Sequence, residues 1–124
     1  MWKLERNAEY ENRVKKWPKK HRRELHAMHD NLDTFYRTLN RGIPLQNAVR
    51  FGFIHDEPKG IKAIDQKGTG AGVKQTRLYT FPDNTTKVVH LITIGDKNSQ
   101  KADIRYASDF VDNLGTWEGE SDGG

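Results

Sequence analysis

The sequence predicts an α+β domain with the element order β-α-α-β-β-β-α: a helical hairpin packed on a small, mainly antiparallel sheet, and a C-terminal helix. Three observations carry this prediction. Residues 73–81 and 87–94 are apolar and β-branched runs of period two, joined by a turn at 82–86, so they form the centre of a sheet. Leu25, Met28, Leu32, Phe35 and Leu39 step by 3, 4, 3 and 4, a helical stripe that needs a partner surface. Ile104, Ala107, Val111 and Leu114 repeat that spacing from Gln100 and meet a stop signal at Gly115.

The elements follow in order. Trp2 and Leu4 alternate with Lys3 and Glu5 as a short strand, and Asn7 caps a first helix with Glu9 and Glu11 in its opening turn. Pro18 ends that helix and starts a second, which runs to about Asn40 and stops at Gly42. Residues 45–51 carry a helical turn, 56–60 a chain reversal, and 61–66 an edge strand followed by a glycine-rich loop at 67–72. In the next strand Gln75, Arg77, Tyr79 and Phe81 share one face. In the returning strand Val88, His90, Ile92 and Ile94 do. Residues 1–115 form a single domain, and 116–124 an acidic, glycine-rich flexible tail.

The chain has 124 residues, 34% of them hydrophobic and 31% charged, which allows one domain with a modest core. Its net charge is +4, but Glu118, Glu120 and Asp122 stand in a tail without Lys or Arg, so the positive excess belongs to the domain and points to a polyanionic partner. Zero cysteines exclude a disulfide framework and Cys-ligated metal. No apolar run approaches the roughly 18 residues of a membrane span and the N-terminus has no secretory core, so the expected location is the cytoplasm, without a membrane partner.

With no cysteine and no nucleophile elbow, nucleophilic triads are not at hand. His26 and His29 lack a third ligand, so no metal and no cofactor is expected, and His90 reads as a satisfied core imidazole. What remains is cationic: Lys62, Lys67, Lys74, Arg77 and Lys97, with Gln75 and Gln100 as neutral hydrogen-bonding groups. Lys19, Lys20, Arg22 and Arg23 open the second helix, where each opposes the macrodipole by about 0.3–1 kcal/mol at low salt. A phosphate backbone would use that cluster. The junction Gly95-Asp96-Lys97-Asn98-Ser99-Gln100 enters the last helix, whose free N–H groups suit an anion. Such a set binds RNA and can also cleave it without metal: the ribose 2′-OH is the nucleophile, cations stabilise the phosphorane, and a lysine crowded by other cations takes the proton.

Thr76-Arg77-Leu78-Tyr79 in the penultimate strand, and Lys97-Asn98-Ser99-Gln100 followed by Asp103-Ile104 and Ala107, carry a resemblance. Together with the element order they make the chain resemble the RelE/HigB toxins of bacterial toxin-antitoxin pairs over roughly residues 1–114. The resemblance implies a RelE-like fold and a ribosome-dependent mRNA endoribonuclease that inhibits translation. It also implies a monomeric toxin held inactive in an oligomeric complex by a cognate antitoxin, with the ribosome and mRNA as its other partners. By position, Arg77 matches the phosphate-binding strand Arg and Lys97 the cation at the start of the last junction, while Lys62, Lys67 and Lys74 fall as a group in the region of the family's loop and strand lysines. Catalysis is thus expected of Arg77, Lys97, Lys74 and Lys62, and RNA binding of Lys67, Gln75, Gln100, Lys19, Lys20, Arg22 and Arg23. The chain departs from many relatives in having Thr93, or at best Tyr106, where they carry a His or Tyr. Two other readings keep the fold: a ParE-like toxin that inhibits gyrase without nuclease activity, and a noncatalytic RNA-binding accessory protein.

Overall fold

The strand Val88–Gly95 (β5) is buried at every position after Val88, and the rest of the chain is arranged around it. The computed structural model describes residues 1–66 and 74–123, with side chains through Leu114. β1 (Lys3–Arg6) runs parallel to β5 on one side, and β4 (Arg77–Asp83), β3 (Lys62–Asp65) and β2 (Ile54–Asp56) follow antiparallel on the other, giving the order β1-β5-β4-β3-β2. The architecture is α+β with a C-terminal helix.

Both faces of this sheet are covered, which is why β5 reads as nearly continuous apolar sequence. α1 (Ala8–Lys15) and α2 (Arg22–Asn40) lie on one face. There Tyr10, Trp17 and the stripe Leu25, Met28, Leu32, Phe35 and Leu39 pack with Ile64, Leu78, Val89, Leu91 and Ile94. α1 rests on β5 and α2 on β3. The two helices meet where the Tyr10 hydroxyl and His29 Nε2 lie 2.8 Å apart. On the other face α4 (Gln100–Gly123) brings Ala107, with Ile104, Phe110 and Val111 beside it, against Ile61, Ala63, Tyr79 and Ile92.

Several expectations need correcting. The strand at 61–66 is not an edge: the reversal at 56–60, with Lys59 and Gly60 at positive φ, folds Ile54–Asp56 back as a further strand, and β2 takes the edge. β4 begins at Arg77 and extends through Pro82, whose missing N–H costs no bond because β3 ends at Lys62, opposite Thr80. The register between β4 and β5 slips at Tyr79/Thr80, so that Thr93 and Leu91 oppose them and Ile92 is the extra residue of a bulge. The bulge turns Ile94 to the α1/α2 face, away from His90 and Ile92, where simple alternation grouped it. α2 is entered through a 3₁₀ turn, Lys19–His21, so the helix proper starts at Arg22. A four-residue helix, α3 (Leu45–Ala48), fills the connection after α2. Finally, α4 continues past Gly115 to Gly123, since a glycine costs about 1 kcal/mol in a helix but does not force a stop. The backbone expected as a tail is therefore helical through Gly123.

Candidate functional site

The end of the sheet where β5 gives way to α4 gathers Arg77, Lys74, Lys97 and Gln100 of the predicted residues. Gly95 pairs with Arg77 across β4 and β5. The chain then turns through Asp96, whose Oδ1 accepts from the backbone N–H of Asn98 (2.9 Å) and Ser99 (3.1 Å), while Ser99 Oγ accepts from Asp96 N (3.2 Å). This reciprocal capping box satisfies the N–H groups expected to hold an anion, and it places a carboxylate where that anion would sit. Below it Asp103, fully buried, accepts from Ser99 Oγ (2.6 Å) and from Arg13 Nη1 (2.6 Å). A Cβ on residue 95 would lie 1.8 Å from Asp103 Oδ2, so only glycine lets α4 approach the strand this closely.

The edge of β5 beyond β1 is closed by side chains. β1 pairing ends at Leu91, and the open carbonyls of Ile92 and Ile94 accept from Asn7 Nδ2 (3.0 Å) and Arg13 Nη1 (2.8 Å). Asn7 stands at the N-cap position but makes no side-chain cap bond, because its amide serves this edge and the Tyr106 hydroxyl instead.

Lys74 reaches the same junction. Its ammonium lies 3.1 Å from Asp96 Oδ2 and 5.7 Å from the Trp17 ring centroid, and its backbone N–H donates to Glu24 Oε2 (3.0 Å). Burial pushes the Asp96 carboxyl up, but Lys74 and the N–H groups of Ser99 and Asn98 outweigh it and hold the group below its ordinary 3.8. Lys74, Lys16, Arg13, Trp17, Asn98 and Ser99 line a groove of about 360 Å³. Lys97 is exposed beside it and has no ion-pair partner among the described residues, and Gln100 follows half-buried. Glu24 Oε2 also lies 2.6 Å from His21 Nδ1, which ties the basic turn of Lys19, Lys20, Arg22 and Arg23 to Lys74; all of these but the half-buried Arg22 are exposed.

On the α4 face, Arg77 Nε is 2.8 Å from Asp65 Oδ1, the two side chains being 16% and 17% exposed. The N–H is not aimed at the oxygen, so the contact is an ion pair without hydrogen-bond geometry. The other Asp65 oxygen is 2.5 Å from His55 Nε2. Next to Arg77, the Tyr79 hydroxyl is buried with no hydrogen-bond partner among the described residues. Its pKa is pushed up to about 12 by burial and then by Asp103, with Arg77 pulling the other way.

The structure thus brings Arg77, Lys74, Lys97 and Gln100 to one end of the sheet, with Gln75 half-buried in the approach to β4. Lys62 is not among them. It sits three residues from Asp65 along β3, about 10 Å away, bonded to Asp56 (2.5 Å), whose carboxyl it holds below the usual range. Lys67 lies outside the described residues. Lys62 and Lys74 each face a carboxylate, of Asp56 and Asp96, rather than a crowd of cations. Sequence reasoning gave no site role to Asp65, Asp96, Asp103, Arg13 or His55. Of these, Asp96 had a visible signal, the Asp-x-x-Ser spacing of a capping box. Of the others, Asp65 and His55 depend on strand register, and Arg13 and Asp103 on how α1 and α4 pack against β5.

Among the described residues no group of three or more His, Cys, Asp or Glu is placed to hold a metal ion, and no helix is long and apolar enough to cross a membrane. No family model, no curated protein and no solved structure matches this chain.

Proposed function

We propose that the protein is a RelE/HigB-like toxin with a RelE-like fold, a ribosome-dependent endoribonuclease that cuts mRNA in the cytoplasm and is held inactive by a cognate antitoxin. One observation carries the reading: Arg77 lies opposite Gly95, Lys97 two residues beyond Gly95, and Lys74 against Asp96, so cations from two segments of the chain border the junction where β5 enters α4. Such a cluster suits a sugar-phosphate chain. Arg77 offers a planar fork to the scissile phosphate, and Lys97 and the basic turn at 19–23 offer charge along the backbone on either side. Cleavage then needs no external nucleophile, because the ribose 2′-OH attacks its own phosphodiester once it is held in line.

The test is expression in bacteria with primer extension on cellular messages. The wild-type chain should arrest growth and leave cuts within translated codons. Arg77→Ala and Lys97→Ala should relieve both; the purified Lys97 variant should melt as the wild type does, and the Arg77 variant, which leaves Asp65 without this partner, should melt lower but still fold. If both variants stay fully toxic, the site is misassigned. One observation favours a second reading, an RNA-binding protein without nuclease activity: Arg77 and Lys74 are each tied to a carboxylate. That protein would bind RNA with a steep salt dependence and give no cuts.

A further inference from the structure

We infer that His55 is the proton acceptor of this site and that Asp65 is its positioning residue, an inference that rests on the ribonuclease reading above. Two of the lysines expected at the site, Lys62 and Lys74, are each ion-paired, with Asp56 and Asp96, and the structure offers another acceptor. His55 has the geometry for it. Its Nε2 lies 2.5 Å from Asp65 Oδ2, and an ionised carboxylate can only accept. In the neutral imidazole Nε2 therefore carries the hydrogen, and Nδ1 keeps its lone pair on a side chain that is 42% exposed. The carboxylate fixes both the tautomer and the orientation of the ring, the service an aspartate performs for histidine in hydrolytic triads.

The same carboxylate holds Arg77 through its other oxygen, 2.8 Å from Nε. One side chain thus spans the imidazole and the guanidinium and keeps base and phosphate-binding cation in register on one face of the sheet. The arrangement follows from the strand pairing. His55 lies opposite Ala63, whose methyl leaves room for the ring to lean, and Asp65 is the diagonal neighbour, itself opposite Arg77. The short edge strand β2 is what delivers His55 to this position, and β2 is the element that sequence reading did not find.

The step balances without cofactor or redox partner. The 2′-hydroxyl gives its proton to His55 Nδ1 as the 2′-oxygen bonds to phosphorus. The bond from phosphorus to the 5′-oxygen breaks, the departing oxygen takes a proton from solvent, and a 2′,3′-cyclic phosphate and a 5′-hydroxyl end remain. His55 then returns its proton to solvent.

The experiment is single-turnover cleavage of a defined message on purified ribosomes by the full chain. It compares wild type, His55→Ala, His55→Ala with added imidazole, and Asp65→Asn, with thermal midpoints recorded for each. His55→Ala should cut about 10²–10⁴-fold more slowly at an unchanged midpoint, the range for removal of a general base. Free imidazole should restore part of the rate, and Asp65→Asn should fall between wild type and His55→Ala. A His55→Ala variant that cuts at the wild-type rate overturns the inference and leaves the nuclease reading standing. Slow cutting that imidazole does not rescue, together with a lowered midpoint, overturns it in favour of a role in tethering β2. A wild-type chain that cuts nothing ends both readings.

Discussion

On the face of the sheet covered by α1 and α2, the buried side chains are apolar almost throughout, from Trp2 and Tyr10 through Phe35 and Leu39 to Val89 and Ile94. On the face covered by α4 the apolar cluster is small. Beside it lie a buried carboxylate at Asp103, the Tyr79 phenol without a hydrogen-bond partner among the described residues, and the chain His55-Asp65-Arg77. The first face can supply most of the burial energy because it exposes no charge to desolvation. The second keeps ionic groups half-buried, at a cost in burial that only pairing offsets. The difference teaches where a change should act on folding and where on chemistry.

The largest effect is expected on the first face. Phe35 is fully buried, so Phe35→Ala should cost about 3–5 kcal/mol, out of the roughly 5–15 kcal/mol that holds a domain of this kind together. A denaturant melt should show the midpoint shift, and a loss under about 1 kcal/mol would mean that the α1/α2 face does not dominate stability.

Gly95→Ala comes next, at about 1–3 kcal/mol from overpacking, because the new Cβ would meet Asp103 Oδ2 at 1.8 Å. The start of α4 must then move, and RNA binding should weaken along with stability. Unchanged binding beside a lowered midpoint would separate the capping box from the site.

A smaller effect belongs to the Tyr10–His29 pair. Burial first, then His26, holds the His29 imidazole below its ordinary 6.5, and burial raises the Tyr10 phenol above 10.0. For His29 the folded value is the lower one, so its contribution is complete above pH 6.5 and is lost as pH falls. For Tyr10 the folded value is the higher one, so its contribution is complete below pH 10.0 and is lost as pH rises. Thermal midpoints should hold steady between these limits and fall on both sides. His29→Gln should flatten the acid side alone, above the carboxylate range in which Asp96 begins to be protonated.

Lys97→Ala should do least to the fold, within about 0.5 kcal/mol, because the side chain is exposed and without an ion-pair partner among the described residues. Its readout is the salt dependence of RNA binding, whose slope should drop by about 0.7 when one phosphate of a single strand is no longer neutralised. An unaltered slope would remove Lys97 from the interface.

Much of the first face was legible beforehand. The stripe of α2 is buried residue for residue as its spacing predicts, because a helical period is written in one segment and needs no partner to be read. The α4 face was less so. Its key residues come from β2, β3 and β4, and their meeting depends on a reversal at Lys59 and Gly60 and on a bulge at Ile92 that local pattern does not display. Arg77 stood out in the sequence as a mid-strand cation, but nothing near it in the chain names Asp65 as its partner.

By itself the sequence determined the helices, the two central strands, the absence of thiol chemistry and the basic character of the domain, since each of these is carried by spacing or composition within a short segment. Only the tertiary structure decided that β3 is internal and that one aspartate joins a histidine to an arginine. Those outcomes depend on strand register and on side chains brought together from separate strands, where the free energy of a contact belongs to the assembled sheet and to no single stretch of chain.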